Sequence, residues 1–162
     1  MKYQATAWKE VEGPFLKDFN EKEAVDSVNG ALALRPQIEK ILDQIWDDGF
    51  DGIYFMGIGG TYASCLQAEV HMKERSDLNF FVVNAAEYLT TGDRRVGEGT
   101  IVVVSSVTGS TTEMVDGVKK AKEAGAKLLG FIDVDTSELA KLMDWEIAYR
   151  SNEQLKFFMV AD

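Results

Sequence analysis

The chain carries one cysteine, one histidine and two prolines in 162 residues. The single cysteine, Cys65, excludes an intrachain disulfide and fits a reducing compartment. The single histidine, His71, has no cysteine cluster beside it, so a His/Cys metal site is not expected. Positive charge is also scarce: 17 Lys and Arg stand against 27 Asp and Glu, a formal net charge of −10. Proteins that grip nucleic acid through its phosphates need basic surface, so a general nucleic-acid binder is excluded. No basic amphipathic stretch suggests a membrane surface, and no segment has the ~20 apolar residues of a transmembrane helix. The first ten residues contain no apolar run of signal-peptide length, which makes the cytoplasm the expected location.

What the chain does have is ordinary for one globular domain. Hydrophobic residues make up 46% and charged residues 27%. Residues 1–50 read as an irregular arm followed by helix. Apolar positions Ile38, Ile41, Leu42 and Ile45 recur at helical spacing, and Pro36 is expected to divide the helical stretch at 21–48. From residue 52 the pattern alternates. Short apolar strands are expected at 53–56, 80–83, 101–105, 127–132 and 145–149. Helices are expected at 61–75, 85–90, from Glu113 to the stop at Gly125, and at 136–143 with Thr136 as N-cap. Residues 151–162 read as a further helix. Its dense apolar side chains, Leu155, Phe157, Phe158, Met159 and Val160, imply either a partner or a longer protein of which this is the front part.

Strands that are apolar throughout and separated by helices form parallel sheets covered on both faces. The expected fold is therefore α/β: a three-layer α/β/α, doubly wound, five-stranded parallel sheet of flavodoxin-like order 2-1-3-4-5. In that order the tips of the first and third strands flank the topological switch point, where such folds bind ligands.

Those two tips are the most informative segments of the chain. The first is the glycine turn Gly57-Ile58-Gly59-Gly60-Thr61-Tyr62. A dinucleotide fingerprint would need glycine where Tyr62 stands, and an acidic residue where Asn84 stands. A tight turn with no ligand is the plain alternative. The second is Ser106-Val107-Thr108-Gly109-Ser110-Thr111-Thr112, a hydroxyl run leading into a helix. A capping turn is the plain alternative there. It holds no Lys or Arg, and no Walker-type G-K-[ST] occurs, so nucleoside-triphosphate chemistry lacks its usual parts. Hydroxyls, a glycine and a helix N-terminus together suit a single phosphate monoester.

Both loops, with the intervening Ala86-Glu87-Tyr88, resemble the sugar isomerase (SIS) domain over roughly residues 51–148, and most closely the first such domain of fructosamine-6-phosphate deglycases and of glutamine–fructose-6-phosphate aminotransferases. The resemblance makes 51–150 the phosphosugar-binding domain. It implies that Thr61, Ser106, Thr108 and Thr111 hold a sugar phosphate through hydroxyls. Val107 offers its backbone N–H where the family often has glutamine, and Gly59, Gly60 and Gly109 shape the loops. The implied ligands are fructose 6-phosphate, glucosamine 6-phosphate or a fructosamine 6-phosphate, with no cofactor and no metal. The implied activity is aldose–ketose isomerisation or deglycation. The alternative is a non-catalytic sugar-phosphate sensor. Isomerisation needs a base to move a proton between C1 and C2. The resemblance offers Glu74 as base and His71 as acid–base, with Glu153 a lesser candidate. Against this stands a solvated helix face, on which Glu69 and Lys73 would pair at i,i+4. A homodimer or a tandem SIS partner is expected, because in tandem relatives the first domain holds phosphate and the second supplies the base.

Overall fold

The computed structural model describes residues 21–149. The expectations for the N-terminal arm, for a helix at 151–162 and for Glu153 lie outside the described residues. Two helices come first, α1 at Glu21–Leu32 and α2 at Arg35–Asp48. The break falls at a turn over Ala33 and Leu34. Pro36 sits in the first turn of α2, where its missing N–H costs nothing. Gly49 ends α2 with φ 77° and donates to the carbonyls of Ile45 and Trp46.

The α/β unit follows: β1 at Gly52–Gly57, α3 at Gly60–Arg75, β2 at Phe80–Asn84 and α4 at Ala85–Thr91. Then come β3 at Thr100–Ser106, α5 at Thr112–Glu123, β4 at Lys127–Ile132 and β5 at Trp145–Ile147. All pairings are parallel and the order is β2-β1-β3-β4-β5, as the sequence pattern predicts. Met56 lies beside Val104, and Ser106 beside Ile132, so the strands end nearly level.

Side chains alternate across the sheet. Tyr54, Met56, Val102, Val104, Leu128 and Ile132 face one side and pack against Ala85 and Tyr88 of α4 and Met114, Val115, Val118 and Ala121 of α5. Ile101, Leu129 and Ile147 face the other side and meet Ile38, Ile41 and Ile45 of α2. Each such aliphatic side chain gains about 1.5–3 kcal/mol on burial, which clamps both helical layers to the sheet.

The stretch at 136–143 departs from expectation. It forms only a 3-10 turn at Ala140–Leu142, and Thr136 lies in a preceding turn rather than capping a helix. The cap comes instead from Ser137, whose Oγ accepts from the Ala140 N–H at 3.2 Å. The Leu139 N–H is spent on the carbonyl of Gly109 at 3.1 Å, a tertiary bond that competes with helical bonding. The fifth strand is also shorter than expected. It stops at Ile147, and the chain runs on to Tyr149 without ladder pairing.

Candidate functional site

Gly57 closes β1 with no room for a side chain. A Cβ there would lie 2.6 Å from the Tyr62 nitrogen and 2.7 Å from its Cα, so the first turn of α3 rests directly on the strand tip. Gly59, at φ 59°, takes the N-cap position without a side chain to cap the helix. The first intrahelical bond runs from the Ala63 N–H to the Gly59 carbonyl. The N–H groups of Gly60, Thr61 and Tyr62 therefore have no partner within the helix ladder. Thr61 braces this turn. Its hydroxyl donates to the Ile58 carbonyl at 2.9 Å and accepts from the Ile58 N–H at 3.1 Å.

The adjacent tip of β3 carries the hydroxyl run. The buried Ser106 Oγ accepts from the Gly109 N–H at 3.0 Å. Thr108 Oγ1 accepts from the Ser110 N–H at 3.4 Å. Gly109 has φ 62°, and a Cβ there would overlap the Ser137 side chain, so only glycine fits. Thr111 is the N-cap residue of α5, yet its side chain makes no capping bond. The intrahelical ladder of α5 starts at Val115, leaving the amides of its first turn outside that ladder. Thr108 and Ser110 are exposed, and Val107 and Thr111 are half-buried. The structure thus brings Gly59, Gly60 and Thr61 to one strand tip and Ser106, Val107, Thr108, Gly109 and Thr111 to the next. Two helix N-termini, one from each face of the sheet, end at that switch point. No basic side chain stands in either loop.

His71 and Glu74 are elsewhere. Both are exposed on the distal half of α3. They follow Thr61 by ten and thirteen residues, which at the helical rise puts them about 15 and 20 Å along the axis. Within one chain they do not meet the loops. Glu69 and Lys73 form the expected i,i+4 pair at 3.0 Å.

Two basic groups beside β2 and α4 are committed to structure. Arg95 binds both carboxylate oxygens of Asp93, at 3.0 and 2.6 Å, and its guanidinium lies 4.2 Å from the Phe81 ring centroid. Those hydrogen bonds hold the Asp93 carboxyl below its ordinary pKa. The Lys120 ammonium donates to the carbonyls of Tyr88 and Leu89 and so caps the end of α4. Clefts of about 180 Å³ and 390 Å³ lie beside these groups, along β2 and α4, and no residue of 58–62 or 106–112 lines either of them.

Three features escaped the sequence reading. Asn84 is the N-cap of α4, its Oδ1 accepting from the Ala86 and Glu87 amides at 3.0 and 3.3 Å. Asn directly before a helical pattern is a signal that could have revealed it. The Ser105 hydroxyl is buried at the tip of β3 with no hydrogen-bond partner among the described residues. Tyr149 donates its phenol hydrogen to the Ser106 carbonyl at 3.2 Å. The last two features depend on the tertiary fold and leave no local pattern.

A doubly wound parallel sheet with paired loops at its switch point defines a ligand-binding α/β domain. The chain belongs to the SIS domain family, whose model matches residues 51–160. Among curated proteins it is similar to the glutamine–fructose-6-phosphate aminotransferase of Sulfurisphaera tokodaii, with 25% identity over 134 residues. That match covers 83% of this chain and 21% of the relative, so the chain spans about a fifth of the aminotransferase. Among solved structures it is similar to the tagatose-6-phosphate ketose/aldose isomerase of Escherichia coli, with TM-score 0.68 and 14% identity, covering 86% of this chain and 41% of that one. It is also similar to the Vibrio vulnificus NanR protein complexed with ManNAc-6P, with TM-score 0.66 and 16% identity, covering 86% of this chain and 56% of that one. At these identities the structural likenesses concern the fold.

Proposed function

We propose that this domain binds a phosphorylated sugar or amino-sugar at the switch point, as the phosphate-holding part of a phosphosugar isomerase or deglycase. The observation that carries the reading is the pair of loops at the tips of β1 and β3, each leading into a helix N-terminus. Backbone amides of Gly60, Thr61 and Val107, with the hydroxyls of Thr108 and Thr111, supply donors to a phosphate monoester. Ser106, Gly59 and Gly109 shape the loops around it. Thr61 contributes mainly through its N–H, since its hydroxyl already braces the glycine turn.

Catalysis on the sugar then needs groups from outside this chain's loops. His71 and Glu74 fit that role only toward the ligand of another subunit or domain, because they stand far along α3 from their own loops. A homodimer or a tandem SIS partner supplies the missing geometry, in the cytoplasm. The second reading, a sugar-phosphate sensor without turnover, is favoured by that same separation and by the likeness to NanR, a protein solved with ManNAc-6P.

The test is titration of the full chain with fructose 6-phosphate and glucosamine 6-phosphate, followed by amide NMR, with isomerase and deglycase assays alongside. Saturable shifts at Thr61 and at 106–111 are expected. No perturbation there at millimolar ligand overturns the binding reading. Binding without turnover, in a preparation that includes any partner domain, favours the sensor.

A further inference from the structure

The carbonyl of Ser106 is held twice. It accepts from the Asp133 N–H at the end of β4, at 3.1 Å, and from the Tyr149 hydroxyl at 3.2 Å. Tyr149 lies beyond β5, so its side chain reaches past β4 to the tip of β3. The residue is 9% exposed, and its hydrogen bond is buried. A trans peptide is planar, with its C=O and N–H pointing in opposite directions. The Ser106 carbonyl points toward β4, so the N–H of the same peptide, which belongs to Val107, points the opposite way. On β3 the opposite side is β1, and the tip of β1 is the glycine turn. The anchored carbonyl therefore sets where the Val107 N–H is directed: into the crevice between the two loops.

We propose that Tyr149 is a positioning residue for the phosphate loop, holding the Ser106 carbonyl so that the Val107 N–H and the loop behind it stay aimed into the crevice. The inference rests on the sugar-phosphate reading above and adds to it a residue 43 positions from Ser106 in sequence. Burial, and then the charge of Asp133, raise the pKa of the Tyr149 phenol, so it remains a donor across the physiological range. Removing the hydroxyl leaves the Ser106 carbonyl bonded to the Asp133 N–H. The substitution therefore takes away a constraint without orphaning a buried acceptor.

The experiment compares the full-length wild type with Tyr149→Phe, and with Tyr88→Phe as a control, since Tyr88 is another buried phenol, on α4. Amide hydrogen exchange without ligand and titration with fructose 6-phosphate are measured on all three. Tyr149→Phe is expected to speed exchange at Val107 to Ser110 and to weaken binding about three- to tenfold, the effect of one lost hydrogen bond. β1 and α2 amides are expected to stay protected, and Tyr88→Phe to leave the loop unchanged. Unchanged loop exchange in Tyr149→Phe overturns the proposal, as does faster exchange with wild-type affinity. An effect of Tyr88→Phe equal to that of Tyr149→Phe also overturns it, by reducing the role to general packing. Failure of the wild type to bind is a separate outcome: it overturns the sugar-phosphate reading and the aiming role with it.

Discussion

At the scale of single residues, the described fold leaves the buried Ser105 Oγ and Glu146 Oε1 without hydrogen-bond partners, and Glu146 is the one of the two with a pH consequence. It lies on β5, half-buried, and its Oε1 has no hydrogen-bond partner among the described residues. Burial raises its pKa above the ordinary carboxylate value, and the charge of Asp135 adds to this. A carboxyl whose folded pKa is raised favours the folded state only while protonated. That contribution is complete below the unfolded pKa of about 4.3 and is lost as pH rises through the folded value. Glu146→Gln, which mimics the protonated form, is therefore expected to raise the melting temperature at pH 7. The gain should shrink to nothing below about pH 4. Thermal melts of both proteins from pH 4 to 8 check this, and a gain independent of pH would refute the assigned cause. Thr61 and Ser106 show the opposite condition. Their hydroxyls already serve the turns that hold them, so their identity follows from loop geometry as well as from any ligand.

At the scale of elements, α4 depends on its first residue pair. It has seven residues, too few for propensity alone to sustain it, and Asn84 caps two of its otherwise unpaired amides. Lys120 closes the other end through the carbonyls of Tyr88 and Leu89. Asn84→Ala is expected to cost about 1 kcal/mol, and Asn84→Asp to keep the cap. Urea denaturation of the three proteins measures the difference, and equal midpoints for Ala and wild type would dismiss the cap. The element level also shows what sequence can reveal. The strands were legible because runs such as Ile101 to Val104 are apolar without alternation, as a sheet covered on both faces demands. The two loops were legible because their residues are contiguous at strand tips. The stretch at 136–143 misled because Thr136 is a residue type that caps helices, while the Leu139 N–H bonds to Gly109 across the fold. Asn84 was compared with an acidic fingerprint position, when its side chain answers to two amides two and three residues on. The Tyr149 bond joins residues 43 apart, beyond any local pattern.

At the scale of the whole molecule, the site and the net charge pull in opposite directions. A sugar phosphate is an anion, and the chain carries a formal charge of −10. Neither loop segment contains Lys or Arg, and Arg95 and Lys120 are held by Asp93 and by backbone carbonyls. For a sugar phosphate held as proposed, attraction comes from N–H groups and two helix termini, which act over about one turn. Repulsion comes from carboxylates spread over the surface, at distances comparable to the screening length of about 10 Å at 0.1 M salt. Added salt thus removes more repulsion than attraction. Affinity for fructose 6-phosphate is expected to hold or to rise about twofold between 20 and 200 mM sodium chloride, a range over which the screening length falls about threefold. A site built on lysine or arginine behaves the other way and weakens with salt. Isothermal titration across that range separates the two, because a steep loss of affinity would mean that a basic group, from this chain or from a partner, is holding the phosphate.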